Sequence, residues 1–314
     1  MKLHQLRYLN EVIRRDFNIS RAAAALHTSQ SGISKQILLL EEEIGVEILV
    51  RGGNRITGLT ATGAEVAAIA RNILDQTENI LRVGQDFHGP ETGSLVVATN
   101  HTHARYVLPK VLKAFAKRYP NVSFKVRQGT PAQIVALVAE GDADVGIGTP
   151  PAQVPGDVAL LPCYELKHCL IAPKRHPLLK RKSPTLAQIA AYPIISYDVT
   201  HQVGLRILEK FRAANLVPRF IMQAIDSDVM KAYVAANLGV AIIPSIAYQP
   251  RQDPLLGARD LGELIEPSTT YIALRNRNYL RGYIYDFIGL LSPALTRERV
   301  AKALNSKQDS RTGK

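Results

Sequence analysis

The chain has 314 residues, of which 46% are hydrophobic, and 39 Lys and Arg stand against 27 Asp and Glu for a net charge of +12. That is enough chain for more than one buried core, and no apolar run approaches the roughly twenty residues that a membrane-spanning helix needs, which excludes a helical membrane protein. No apolar stretch of the secretory kind follows the basic start Met1-Lys2-Leu3-His4, so the expected location is the cytoplasm.

The charge is unevenly spread. Met1 to His88 holds ten basic and ten acidic residues, leaving 29 against 17 for the rest, so net basicity is no argument for nucleic-acid binding and the placement of charges has to carry it. Asn18 or Ser20 is suited to cap a short alanine-rich helix, and Thr28 or Ser29 to cap a second one directly after it. In the second helix Ile33, Ile37, Leu40 and Ile44 follow the spacing of a buried stripe. Its other face, with Gln30, Ser31, Ser34, Lys35 and Leu38, offers short hydroxyls, an amide and a cation near a helix start, as major-groove reading requires. Gly45 ends that helix, Val46 to Val50 reads as a strand, and Arg51-Gly52-Gly53-Asn54-Arg55 as a hairpin tip. A glycine-rich tip carrying Arg51 and Arg55 beside a helix-turn-helix is a wing aimed at phosphates or the minor groove. The candidate DNA contacts are therefore Thr28, Ser29, Gln30, Ser31, Ser34, Lys35, Arg51 and Arg55.

A long helix follows from about residue 63 to His88. Val66, Ile73, Ile80 and Phe87 lie seven apart, with Ile69, Gln76 and Val83 as a second row, which is the pattern of a dimerising coiled coil. A single amphipathic helix lying on its own domain shows a similar stripe. Beyond His88-Gly89-Pro90 the chain alternates strands and helices: strands at Ser94–Thr99, Val122–Arg127 and Asp144–Gly148, with helices at His103–Tyr119 and Pro131–Glu140, form a parallel α/β lobe. A second series runs from His168–Ala172 through Val240–Ile243, and Thr270–Arg275 with the helix through Tyr283–Phe287 returns to the first lobe. The expected layout is a winged helix-turn-helix at 1–62, a dimerising helix at 63–88, and a two-lobed effector domain at 89–295. Lobe one covers about 93–163 and 268–292 and lobe two about 164–267; the basic segment 296–314 shows no core pattern and reads as a mobile tail.

Open α/β sheets bind ligands beyond the carboxyl ends of their strands, where helix N-termini present free N–H groups. Asn100, His101, Thr102 and His103 follow the first strand, Thr149 follows another, and Thr200, His201 and Gln202 open a helix of the second lobe; together they are suited to a small anion. Each threonine taken singly is more often a helix cap. Cys163 and Cys169 flank an expected loop between lobes and read as small apolar residues rather than a redox pair, and the histidines lack ligand-spaced partners, so no metal is expected. There is no dinucleotide fingerprint, phosphate-loop lysine or nucleophile elbow, which argues against an enzyme and leaves no resident cofactor.

The string Ser29-Gln30-Ser31-Gly32-Ile33-Ser34-Lys35-Gln36-Ile37, with Leu40-Glu41, Ile44-Gly45, Leu49, Arg51, Leu59-Thr60 and Gly63, resembles the LysR-type transcriptional regulators. Leu49-Val50 stands where that family usually has phenylalanine before the wing arginine. The resemblance implies an α/β protein with an N-terminal winged helix-turn-helix and linker helix, then a periplasmic-binding-protein-like effector domain, working as a dimer or tetramer on double-stranded promoter DNA and, for an activator, with RNA polymerase. His101-Thr102, Ala104-Arg105-Tyr106, Gln128-Gly129-Thr130-Pro131, Asp226-Ser227-Asp228-Val229 and Lys231-Ala232-Tyr233-Val234 are similar to its CysB-type subgroup, which controls sulfur assimilation and organosulfur use. That resemblance implies an effector such as sulfate, thiosulfate, adenylylated sulfate or acetylserine, with Thr102 and Thr149 at matching positions and Gln128 and Asp226 beside them. Asn100, His103 and Gln202 depart from the subgroup's threonine, glutamine and threonine, which keeps open a regulator of another pathway with an organic-acid effector.

Overall fold

The computed structural model describes residues 1–53, 55–89, 91–198, 202–276 and 278–305, without the side chains of His88, Gln202 and Asn305. Two compact units divide the chain, Met1–His88 and the part from Gly89 onward.

The first unit holds α1 (Leu3–Arg14), α2 (Ile19–Ala25), α3 (Gln30–Ile44), β1 (Leu49–Gly52), β2 (Arg55–Leu59) and α4 (Ala61–His88). Asn18 and Ser29 are the caps: their side chains accept from Arg21 N at 2.9 Å and Gly32 N at 3.0 Å, satisfying N–H groups that a helix start leaves free. Gly45, at φ 71°, closes α3 in the left-handed conformation that glycine adopts without a Cβ clash. Ile33, Ile37 and Leu40 are buried against Leu9, Val12 and Ala22. Ile44, expected on the same stripe, is exposed, and the buried side chain of that last turn is Glu41. The helix has already turned past the core by Ile44, while Glu41 finds donors inside it.

β1 and β2 form an antiparallel hairpin that pairs Leu49 with Leu59. Helix α4 starts over this hairpin at a close approach: a Cβ on Gly63 would lie 2.0 Å from the Ile48 carbonyl oxygen. Ala67 and Ala70 are buried, and Val66 and Ile73 pack on the same core. The expected boundary at 63 is therefore no boundary in packing, since the first half of α4 completes the reader's core. Farther along, Ile69, Ile80, Val83 and Phe87 are exposed, Phe87 to 86%. The first heptad row thus divides, with Val66 and Ile73 absorbed by the chain's own domain and Ile80 and Phe87 left on the surface together with the second row, Ile69, Gln76 and Val83.

The second unit comprises β3 (Thr92–Thr99), α5 (His101–Tyr106), α6 (Leu108–Arg118), β4 (Asn121–Gln128), α7 (Pro131–Ala139), β5 (Val145–Gly148), β6 (Val158–Leu166), β7 (His168–Pro173), α8 (Leu186–Ala190), β8 (Ile194–Tyr197), α9 (Gln202–Ala213), β9 (Phe220–Ala224), α10 (Ser227–Ala235), β10 (Val240–Pro244), β11 (Leu256–Asp260), β12 (Ser268–Arg275), α11 (Gly282–Leu291) and α12 (Arg297–Asn305). They build two five-stranded sheets, β4-β3-β5-β12-β6 in lobe one and β11-β7-β10-β8-β9 in lobe two. Both are mixed: β3 runs parallel to β4 and β5 while β12 is antiparallel to β5 and β6, and β8 runs parallel to β9 and β10 while β7 is antiparallel to β10 and β11. Apolar clusters cover both faces of each sheet, as buried parallel strands require. The chain crosses between lobes twice, at Lys167 from β6 to β7 and between β11 and β12.

The helix foreseen over His103–Tyr119 is two helices, broken at Val107 because Pro109 stands in the first turn of α6 and favours a fresh start there. β6 and β11 were not foreseen; β6 carries lobe one to residue 166, so Cys163 and Cys169 lie on strands of different sheets rather than beside a loop. The segment from 296 is not wholly a tail. Through Asn305 it forms α12, whose Val300 and Leu304, four apart, are buried in the lobe-one core with Leu295.

Candidate functional sites

Ser29, Gln30, Ser31 and Lys35 are exposed on α3 and its cap, with Thr28 and Ser34 half-buried. Ser34, Leu38, Arg51 and Arg55 all border one shallow depression of about 170 Å³ between α3 and the hairpin, so the helix face and the wing meet as expected. The two wing arginines differ. The Arg55 guanidinium is exposed and has no partner among the described residues, whereas Arg51 Nη2 lies 2.5 Å from Glu41 Oε2. Glu41 Oε1 also accepts from Ile48 N at 2.8 Å and Leu49 N at 3.1 Å. Burial pushes the Glu41 carboxyl up, but the bonds from Arg51 and from these two backbone N–H groups outweigh it and hold the pKa below the usual value. Glu41 therefore locks the wing to the reading helix, with Arg51 as a fastener. The tip residue Asn54 lies outside the described residues.

In lobe one the register aligns three strand ends, because Thr99 pairs with Gln128 on one side and with Ile147 on the other. Asn100 and Thr149 thus follow parallel strands, and Gln128 ends one, at the same end of the sheet. Thr99 Oγ1 donates to Ile147 O at 2.8 Å, and Asn100 Oδ1 caps α5 by accepting from His103 N at 3.1 Å. Thr102 is buried and Gln128 exposed. His103 is 1% exposed, its Nδ1 lies 3.2 Å from Tyr164 OH, and burial pulls its pKa down to about 4, so it is a neutral ring and no cation for an anion to meet. Thr200 and His201 lie outside the described residues, and Gln202 is the first residue of α9.

Across the lobes, a network absent from the sequence reading joins α5 to α10. Asp228 accepts from His101 Nε2 at 2.6 Å and Tyr106 OH at 2.6 Å, and lies 3.0 Å from both Arg105 Nε and Lys231 Nζ. Lys231, almost fully buried, also donates to Tyr106 OH at 2.9 Å, to Ala247 O at 3.0 Å and to Asp253. Partial burial pushes the Asp228 carboxyl up, but the bonds from Tyr106, His101 and Lys231 prevail and hold its pKa at about 2. The candidate-ligand atoms of His101, Asp226 and Asp228 lie within 4.8 Å of one another. They are already committed: Asp226 caps α10 by accepting from Val229 N at 2.9 Å, and Asp228 is surrounded by donors. Cys163 and Cys169 are free thiols whose burial raises them to about 11 and about 12, so neither is a thiolate at neutral pH.

The family model of the LysR substrate binding domain matches residues 88–296, and that of the bacterial regulatory helix-turn-helix protein, lysR family, matches residues 3–64. The chain belongs to the LysR family of transcriptional regulators. This LysR regulator is 42% identical over 304 residues to the transcriptional regulator SsuR of Burkholderia cenocepacia, covering 97% of this chain and 99% of that one. It is 40% identical to CysB of the same organism, with 99% of each covered, and 34% identical to cbl of Escherichia coli, with 96% of each covered. Among solved structures, the cofactor-binding domain of the Cbl regulator superposes with a TM-score of 0.64 at 32% identity, over 68% of this chain and 94% of that one. A full-length OxyR from Pseudomonas aeruginosa shares the fold at a TM-score of 0.67 over 94% of this chain and 97% of that one. As a LysR regulator it is a DNA-binding protein and not an enzyme, and its substrate-binding domain is of the kind that takes small-molecule effectors. No helix among the described residues is long and apolar enough to cross a membrane.

Glu41, Arg105, Tyr106, Asp228 and Lys231 are the residues that the sequence reading left without a role. For Asp228 and Lys231 there was a local signal, a charge pair three apart on one helix. Nothing in the sequence spacing pointed across to α5.

Proposed function

We propose that this regulator controls genes of sulfur assimilation or organosulfur use in the cytoplasm, and that it responds to a sulfur oxyanion or an acetylserine-like effector. The observation that carries the reading is end-to-end likeness to SsuR, CysB and cbl, at 34–42% identity over nearly the whole chain. The alignment of the lobe-one strand ends supports a ligand between the lobes, held by Asn100, His101, Thr102, Gln128 and Thr149 from one side and by Thr200, His201, Gln202 and Asp226 from the other. His103 shapes that site through Tyr164 instead of charging it. No resident cofactor enters this reading.

The working form is a dimer, paired again into a tetramer, on a dyad-containing promoter site. The exposed second row Ile69, Gln76 and Val83, with Ile80 and Phe87 of the first row, supports pairing through α4. Thr28, Ser29, Gln30, Ser31, Ser34 and Lys35 face the bases and Arg55 the backbone, with Arg51 shaping the wing; contact with RNA polymerase follows if the protein activates. Effector binding shifts the lobes and thereby the placement of the readers on bent DNA.

The test is calorimetric titration of the full chain with sulfate, thiosulfate, adenylylated sulfate, O-acetylserine and N-acetylserine. Saturable binding of one of these, lost in Thr102→Ala and in Thr149→Ala while operator binding stays intact, is the expected result. Silence from all five in a folded, DNA-binding protein leaves a LysR regulator of another pathway with an organic-acid effector.

A further inference from the structure

Four donors converge on a single carboxylate, and three of them stand on the opposite lobe. His101, Arg105 and Tyr106 present Nε2, Nε and a hydroxyl from the short α5 of lobe one, and Lys231 adds its ammonium from α10 of lobe two. Lobe one supplies no carboxylate to this set. The anion that answers it is Asp228, in the first turn of α10, where the helix dipole also favours negative charge. Lys231 keeps a second acceptor in Asp253, at 3.1 Å, so loss of Asp228 would leave the three lobe-one donors without their anion but Lys231 still paired.

We propose that this is an anion site occupied by the chain's own side chain: Asp228 docks from lobe two as a tethered carboxylate on the His101, Arg105 and Tyr106 donors of lobe one, and small carboxylates or sulfur oxyanions are the external ligands that fit the same donors. The tether sets the selectivity. A linked group acts at an effective concentration in the millimolar range or above, so a simple free anion at lower concentration does not displace it, and an external ligand has to bring further contacts of its own. Such a ligand also breaks the fastening between α5 and α10, so that its arrival and the release of the lobes are one event. This inference shares His101 with the effector reading above but adds Arg105 and Tyr106, and it does not depend on the strand-end threonines.

Hydrogen–deuterium exchange on the full chain tests it, with wild type, Asp228→Ala, Asp228→Ser and the isosteric Asp228→Asn titrated with sodium acetate against sodium chloride at matched ionic strength. In the Ala and Ser variants the amides of α5 and α10 should exchange about tenfold faster or more, and acetate but not chloride should slow them saturably. Wild type and Asp228→Asn, whose site is filled, should show no acetate effect. Equal action of acetate and chloride, or unchanged exchange in the Ala and Ser variants, overturns the proposal. Failure of both variants to fold also overturns it, since Asp228 would then be part of the lobe's own framework. Retained sulfate or acetylserine binding in Asp228→Ala bears only on the threonine site and leaves the acetate result to stand by itself.

Discussion

Glu41 in the reading unit and Asp228 in the effector unit are both carboxylates held ionised against partial burial, yet their partners lie at different distances along the chain. Glu41 bonds the backbone N–H groups of residues seven and eight positions on, and Arg51 ten positions on. Asp228 bonds His101 and Tyr106, 127 and 122 positions away on another lobe. A fastener made between a helix and the hairpin that follows it, inside one core, forms when the unit folds and breaks only when it unfolds. One made between two lobes, each with its own core, can open while both stay folded. The same chemistry thus gives a rigid wing in one place and a releasable closure in the other.

The largest effect to break this comparison is expected from Glu41→Ala. It leaves two buried N–H groups and a guanidinium without their acceptor, a loss on the order of 2–5 kcal/mol from the reader's stability, together with operator affinity as the wing detaches from α3. Denaturant unfolding followed with a probe in the first unit measures it. Asp228→Ala should move that transition little, because the reader's core does not depend on it; equal losses in the two variants would erase the distinction.

Acid should separate the units next. His103 and His168 are buried and neutral in the fold, with pKa values pulled to about 4 by burial and, for His168, also by nearby Arg206; the ordinary value is 6.5. Their stabilising contribution is complete above pH 6.5 and is lost as pH falls from 6.5 towards 4, because only the unfolded chain takes up the protons in that window. Each histidine contributes up to about 1.4 kcal/mol per pH unit there. The described residues of the reader include no buried histidine, so its own transition should hold steady down to about pH 5, below which the Glu41 carboxyl, held below its ordinary 4.5, starts to lose its contribution. His176 is also held below its ordinary value by burial, so His103→Gln should remove a substantial part of the effector unit's slope but not all of it. A slope shared equally by both units would mean that they do not unfold independently.

How far the sequence could be read follows the same division between near and far. The helix-turn-helix was legible because caps and apolar spacing act within a few residues: Asn18, Ser29, Ile33, Ile37, Leu40 and Gly45 do in the fold what their spacing predicts. Glu41 was not, since among Glu42, Glu43 and Glu47 it reads as one more solvated acid until the chain entering β1 brings the Ile48 and Leu49 N–H groups to it. The strand ends at Thr99, Gln128 and Thr149 were legible from the alternation of elements. Tyr106, Asp228 and Lys231 stood in strings that already resembled the CysB-type subgroup, but a contact across more than a hundred residues leaves no periodic trace. α12 was missed for a related reason, because two apolar residues four apart among charges become a core face only when lobe one is there to receive them.

The smallest effects concern what the wing and the reading helix each contribute on DNA, and they test whether the rigidity supplied by Glu41 serves contact with the backbone. Lys35 is exposed on α3, and replacement by alanine should weaken binding to the operator by about 1–3 kcal/mol while leaving random duplex less affected, because a base contact is lost. Arg55, with its free guanidinium, should behave otherwise. Its replacement by alanine should weaken operator and random DNA alike and reduce the slope of log affinity against log salt by about one, the counterion released at a single phosphate. Arg51→Ala separates the two roles of the wing: a fastener lost should lower reader stability and weaken affinity with little change in salt slope, whereas a second phosphate contact would flatten the slope as Arg55 does. Salt titrations of the three variants on operator and random duplexes therefore decide whether the wing meets DNA with one arginine or two.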